Sequence, residues 1–204
     1  MTDKKQHILE HALELFAEKG FEGTSIRDLA ARADVNVAMV NYYFGSKEKL
    51  FEQLVAHKAA YARVALEELA NNPNYSEIEK VDMIIDNHIK KLFGNRKFHR
   101  VLHQELMLSQ REALQAAIVE IIYPNSLIMR GVIESGMKSG LFKKVDAPLV
   151  IATITGTINQ VLLSRRMCNK LLNKDEAYVP YDDTRFAKRL ADHLKQMIRA
   201  HLLK

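Results

Sequence analysis

Cys168 is the only cysteine among 204 residues, so no internal disulfide can form, and a reducing compartment is expected. Tryptophan is absent, and four prolines and eight glycines leave most of the chain without breakers. With no alternating apolar–polar run of useful length, an assembly of short strands is excluded. No apolar run is read as long enough to cross a bilayer, and Met1-Thr2-Asp3-Lys4-Lys5-Gln6-His7 leads into an amphipathic pattern and not into an apolar signal core. The expectation is a cytoplasmic protein with no membrane partner. Gly-rich phosphate loops, nucleophile elbows and metalloprotease helices are also missing, so neither cofactor nor metal is expected, and an enzyme is disfavoured.

What remains is helical periodicity. Apolar residues make up 48% and charged residues 27%, enough for one large core or for a small domain joined to a larger one. The net charge of +5 is misleading as a sign of nucleic-acid binding. Residues 1–60 hold eight Lys and Arg against nine Asp and Glu, and the remainder holds 22 against 16. Any DNA-binding argument must therefore rest on local placement and not on the global field.

The first helix is expected over Asp3–Lys19, with Ile8, Leu9, Ala12, Leu13, Leu15 and Phe16 as its apolar stripe. Gly20 can take the left-handed position that ends a helix, letting Phe21 fold back. Ser25, with Asp28 three residues on, reads as a capping box for a helix over Ile26–Ala33. Asp34-Val35 makes the turn, Asn36 caps a short helix over Val37–Tyr43, and Gly45 ends it. Ser46 caps a long helix over Lys47–Asn71. Further helices are expected from Ser76 to about Phe93, over Phe98–Leu108, over Arg111–Gly136 with a kink or interruption at Pro124, from Asp146 to about Leu172, and over Thr184–Leu203. Asn173–Asp183 reads as a polar loop.

The run from residue 25 to 44 is a capped helix, a tight turn and a second short capped helix, the helix-turn-helix plan. Val40 and Phe44 would hold the second helix on the core. Val37, Ala38, Asn41 and Tyr42 would share its exposed face, with Asn36 at its N-terminus. Tyr42 and Tyr43 each carry a hydroxyl on a rigid ring, suited to phosphate. Lys47 lies at the first turn of the following helix, and Ser25 and Arg27 lie at the start of the preceding one, where free N–H groups and the dipole favour an anion. Such contacts position a protein without reading sequence. Asn41 can pair with adenine, Arg27 can reach guanine, and Val37 and Ala38 can pack on thymine methyl groups.

These residues resemble the TetR family of bacterial transcription regulators. The matching elements are the first helix ending at Gly20-Phe21, Thr24-Ser25-Ile26-Arg27-Asp28-Leu29-Ala30, Val35 through Phe44, and Ser46-Lys47-Glu48-Lys49-Leu50-Phe51. Val37-Ala38 stand where Lys-Gly is frequent in the family, and Asn41 where tyrosine is common. The resemblance implies a homodimer on double-stranded operator DNA, typically a repressor released by a small molecule. It implies an all-α fold of about nine helices, with a helix-turn-helix domain over 1–60 and an effector-binding and dimerisation domain over 61–204.

In that larger part, Ile151, Ile154, Ile158, Val161 and Leu162, with Phe186, Leu190, Leu194, Met197 and Ile198, form two apolar stripes expected to build a four-helix dimer interface. An apolar or amphipathic effector is expected among the helices between Ser76 and Leu172, with Arg100, His103, Met107 and Arg130 as its first candidate contacts. Glu105, Glu112, Glu120 and Glu134 read as solvated helix charges. His99 with His103, and His7 with His11, have one-turn spacing but no evident third ligand. The competing reading is a helical protein-interaction or enzymatic module whose helix-turn-helix is only structural.

Overall fold

The computed structural model describes residues 2–107 and 111–204. Among these residues there are ten α-helices: α1 (Thr2–Lys19), α2 (Ile26–Arg32), α3 (Val37–Phe44), α4 (Lys47–Asn71), α5 (Glu77–Gly94), α6 (Arg96–Met107), α7 (Glu112–Lys138), α8 (Ala147–Leu163), α9 (Arg165–Leu171) and α10 (Thr184–Leu202). A 3-10 turn, Pro180–Asp182, precedes α10. The fold is all-α as expected. Leu108, the expected end of α6, lies outside the described residues.

The chain divides into two compact units. The first comprises Met1–Ala62 and Lys97–Pro124, and the second Arg63–Arg96 and Asn125–Lys204. The boundaries fall inside α4 and α7 and after the first residue of α6, so these helices contribute to both units.

The first unit has an aromatic centre. Phe16 stacks on Phe21 at 5.5 Å, and Phe51 meets both rings edge-on at 5.4 and 5.6 Å. Ile8, Leu15, Leu29, Val40, Leu50 and Ile118 fill the space around them. The second unit is mainly aliphatic, built on Ile85, Leu92, Ile154, Ile158, Leu194 and Leu202. One of its tightest approaches is at Gly136. A Cβ there would lie 2.2 Å from the Phe142 ring, so only glycine admits that ring.

Three expectations change. The helix expected from Asp146 to Leu172 is two helices bent by 99° at Ser164. No glycine or proline marks the break. Its reason is tertiary: the bend brings Cys168 and Asn169 into the core, and the Asn169 amide donates to the carbonyls of Asp175 and Tyr178, both at 2.9 Å. At Pro124, by contrast, α7 continues. The missing donor concerns the carbonyl of exposed Glu120, which water can satisfy. Finally, α7 is long and apolar enough to cross a membrane by length and composition, against the expectation of no such run. Leu114 and Ile118 of α7 lie in the first core, and Met129, Val132 and Ile133 in the second.

The two stripes expected at a dimer interface are also placed differently. Ile154, Ile158, Val161 and Leu162 on α8, and Phe186, Leu190, Leu194 and Ile198 on α10, are buried within the unit, with Ile151 and Met197 packed against them. The large apolar residues that α8 leaves exposed are Leu149 and Leu163, at 64% and 40%.

Candidate nucleic-acid interface

The geometry of α2 and α3 follows from local chemistry. Gly20 takes φ +73° and closes α1, its N–H donating to Phe16 O at 2.9 Å. Buried Thr24 then ties the turn, its hydroxyl donating to Gly20 O at 2.8 Å. Ser25 caps α2: its hydroxyl accepts from the Asp28 N–H at 3.1 Å, and its own N–H donates to the Asp28 carboxylate at 3.0 Å. The Ser25 hydroxyl donating to the Asp28 carboxylate, then Lys19 at 2.9 Å and the Ser25 N–H, hold this carboxyl far below the usual carboxylate range. Asp34 supplies the turn at φ +51°. Asn36 caps α3 by accepting from Met39 N–H at 2.7 Å, and Gly45 ends α3 at φ +76°.

The result is a short helix with two unlike faces. Val40 is fully buried and Phe44 is 5% exposed, whereas Tyr42 is 77% exposed and Val37, Ala38 and Asn41 lie open beside it. Tyr43 is half-buried, its ring 5.4 Å from that of Tyr42. Arg27 is exposed on α2. The surface therefore offers an amide, a hydroxyl-tipped ring, small apolar side chains and a guanidinium.

Two of the expected phosphate contacts are already engaged. The Ser25 hydroxyl donates to Asp28 and is committed to the cap. Lys47 is half-buried: its Nζ donates to Phe21 O at 2.8 Å and lies 4.4 Å from the centre of the Phe21 ring. Sequence reasoning missed the surroundings of Lys47. Glu105, taken for a solvated charge, is 3% exposed, and Arg111 donates to it through Nε at 3.0 Å and Nη2 at 2.6 Å. The signal was present in α6, where Phe98, Val101, Leu102 and Glu105 share helical spacing and therefore one face. Lys5, 5.9 Å from the Phe44 ring, was also not singled out.

The four candidate effector contacts divide between the two units. Arg100 is exposed and donates to Ala17 O, at the end of α1, at 3.1 Å. His103 is half-buried on α6, and Met107 is 76% exposed at its end. These three belong to the first unit, whereas exposed Arg130 belongs to the second, paired with Glu134 at 2.6 Å. The second unit does hold a groove of about 390 Å³, flanked by α4, α5 and α7, with Ile128, Gly131 and Val132 along it and Asn71, Lys80 and Ser135 among its polar groups.

Comparison with known proteins places this interface in context. Residues 8–54 match the bacterial regulatory proteins of the tetR family, and residues 62–172 match the C-terminal region of YsiA-like proteins. The transcriptional repressor NicS of Pseudomonas putida is 32% identical over 160 residues, covering 74% of this chain and 73% of its own. The fatty acid metabolism regulator protein of Bacillus subtilis is 28% identical over 160 residues, covering 78% and 81%. The fold is shared with the transcriptional regulator FadR of Bacillus subtilis, solved with stearoyl-CoA, at a TM-score of 0.77 and 24% identity, covering 95% of this chain and 96% of that one. This chain belongs to the TetR family and is a DNA-binding transcriptional regulator, not an enzyme.

Proposed function

We propose that the protein is a cytoplasmic, homodimeric repressor that docks the exposed face of α3 in the major groove and leaves its operator when an amphipathic small molecule binds the second unit. The observation that carries the docking mode is the division of α3, with Val40 and Phe44 inward and Val37, Ala38, Asn41 and Tyr42 outward. A helix anchored on one side and bare on the other, beginning at Asn36, suits insertion by its N-terminal end. Asn41 reads a base, with Val37 and Ala38 against methyl groups. Arg27, Tyr42, Tyr43 and Lys47 engage phosphate or base edges. Ser25 and Asn36 act mainly by fixing the two helix starts, because their side chains accept cap bonds.

A two-fold dimer places two such helices in successive major grooves, about 34 Å apart. The face available for pairing on α8 carries Leu149, Thr153, Gly156 and Leu163, all exposed. Support for an acyl-type effector comes from the stearoyl-CoA held by the FadR structure and from the fatty acid regulator among the relatives. The groove along Ile128, Gly131 and Val132 is the place we assign to it. Ligand and operator then act on one coupled equilibrium, each weakening the other by the same factor.

The test uses the full chain and an operator found by mapping its sites on the source genome. Asn41→Ala is expected to change the preference among operator bases by about 1–3 kcal/mol, whereas Tyr42→Phe weakens all sequences alike. Unchanged preference in Asn41→Ala would refute the docking mode. Titration of acyl-CoAs of increasing chain length, with and without operator, tests the effector. No binding by any chain length would remove that class.

A further inference from the structure

The surroundings of Lys47 hold more charge chemistry than a docking lysine needs. Two cations converge on one aromatic ring: Lys47 Nζ lies 4.4 Å and the Arg111 guanidinium 4.8 Å from the centre of Phe21. Two carboxylates answer them. Glu105, on the inward face of α6, receives both Arg111 bonds, and exposed Glu22 receives a third from Arg111 Nη1. Burial pushes the Glu105 carboxyl up from its usual value and the Lys47 ammonium pulls it back; the geometric link between them is Arg111, which bonds to Glu105 and shares the Phe21 ring with Lys47. The four charges sum to zero. They join the turn after α1, the first residue of α4, the inward face of α6 and the residue preceding α7.

Resting on the docking role given to Lys47 above, we propose that Glu105 is a positioning residue for it: the buried carboxylate, shared with Arg111, holds the lysine ammonium at the Phe21 carbonyl and so sets how much of its charge reaches the DNA backbone. An ammonium on a four-carbon stem can turn outward to phosphate or stay at the Phe21 carbonyl. The balance depends on the charge beneath it. With Glu105 ionised and Arg111 in place, the carboxylate bonds to Arg111 and reaches Lys47 only through its field. Without its charge, Lys47 is drawn outward; without Arg111, the carboxylate belongs to Lys47 alone and holds it more firmly.

The two substitutions therefore act with opposite signs, and since each also changes the net charge in that direction, the Lys47→Ala background is what separates the two causes. The experiment measures binding of the full-length protein to a mixed-sequence duplex and to the mapped operator as a function of salt. Glu105→Gln is expected to tighten binding and to steepen the slope of log K against log salt by up to about 0.9, the value of one added phosphate contact. Arg111→Gln is expected to weaken binding and flatten the slope. Both effects should vanish in a Lys47→Ala background. Shifts of the same sign, unchanged slopes, or an effect of Glu105→Gln that survives Lys47→Ala would each overturn the proposal. If thermal melting shows that Glu105→Gln does not fold, Arg111→Gln with and without Lys47→Ala decides alone. A parent protein without salt-dependent DNA binding would instead refute the docking reading.

Discussion

Helices of both units start and stop at local devices, in the second unit the Ser76–Glu79 box, Gly140 at φ +77°, Asp146 and Asp183, but the second unit also breaks a helix without one. Those that build the reading head, α1 to α3, stop within one or two residues of a local device: Gly20 at φ +73°, the Ser25–Asp28 box, Asp34 at φ +51°, Asn36, and Gly45 at φ +76°. Ser46 continues the series, accepting from Lys49 N–H at 3.1 Å at the start of α4. In the second unit, α8 breaks into α9 at Ser164 with neither glycine nor proline, and the compensating bonds come from Asn169 to a loop six to nine residues away. The second unit also ties α5 to α10 by ion pairs over long sequence separation, Lys195 with Asp86 at 2.6 Å and Arg199 with Asp82. A surface that must present Asn41 and Tyr42 at a fixed angle is set by short-range bonds. A unit whose packing is mainly aliphatic gets its shape from contacts distant in sequence.

The contrast is tested first, and with the largest effect, in the cores. Phe51→Ala removes a fully buried ring that touches Phe16 and Phe21, and Ile158→Ala empties a fully buried site in the second unit. The expected costs are about 3–5 and about 2–5 kcal/mol. Denaturant unfolding followed by residue-specific probes in each unit should show Phe51→Ala loosening the head before the second unit, with loss of DNA binding. Simultaneous loss of both units at one midpoint would mean that they fold as one.

The same contrast explains what was readable beforehand. The head was legible almost to the residue, because each boundary is encoded by a side chain within reach of the backbone it caps. Val40 and Phe44 faced inward as their spacing required. The second unit was legible as helix but not as packing. Nothing near Ser164 announces a 99° bend, and the stripes on α8 and α10 satisfy a dimer seam and an internal core equally well. Glu105 was misread for a related reason: a carboxylate looks solvated until Arg111, six residues on, folds against it.

Glycine sites sharpen the comparison at intermediate size. A Cβ at Gly23 would meet Lys19 O at 2.3 Å, a backbone atom, and one at Gly136 would meet the Phe142 ring at 2.2 Å. Both Gly→Ala changes are expected to cost about 1–3 kcal/mol by overpacking. Gly136→Ala should be relieved by Phe142→Leu in the same chain, since a side chain can be exchanged. Gly23→Ala has no comparable remedy, since its obstacle is main chain. Thermal melting of the three variants checks this; a Gly136→Ala defect unaffected by Phe142→Leu would contradict it.

The smallest effects concern the caps. Ser25→Ala removes the acceptor for Asp28 N–H and is expected to cost about 1 kcal/mol. Its partner Asp28 gives the same cap a pH signature. The folded state holds this carboxyl well below its ordinary value of 3.8 through Ser25 and Lys19, so the folded form binds the proton more weakly than the unfolded form. The sign follows by linkage: the stabilisation is complete above about pH 4 and is lost as pH falls through and below that value. Asp28→Ala should therefore be less stable than the parent at neutral pH, and the difference should shrink as pH is lowered below about 4, because the parent loses the interaction that the variant never had. Denaturant midpoints of both proteins between neutral and acidic pH provide the check. A difference that stays constant down to the acid limit would show that Asp28 holds α2 by its hydrogen-bonding shape alone, and that its charge contributes nothing to the head.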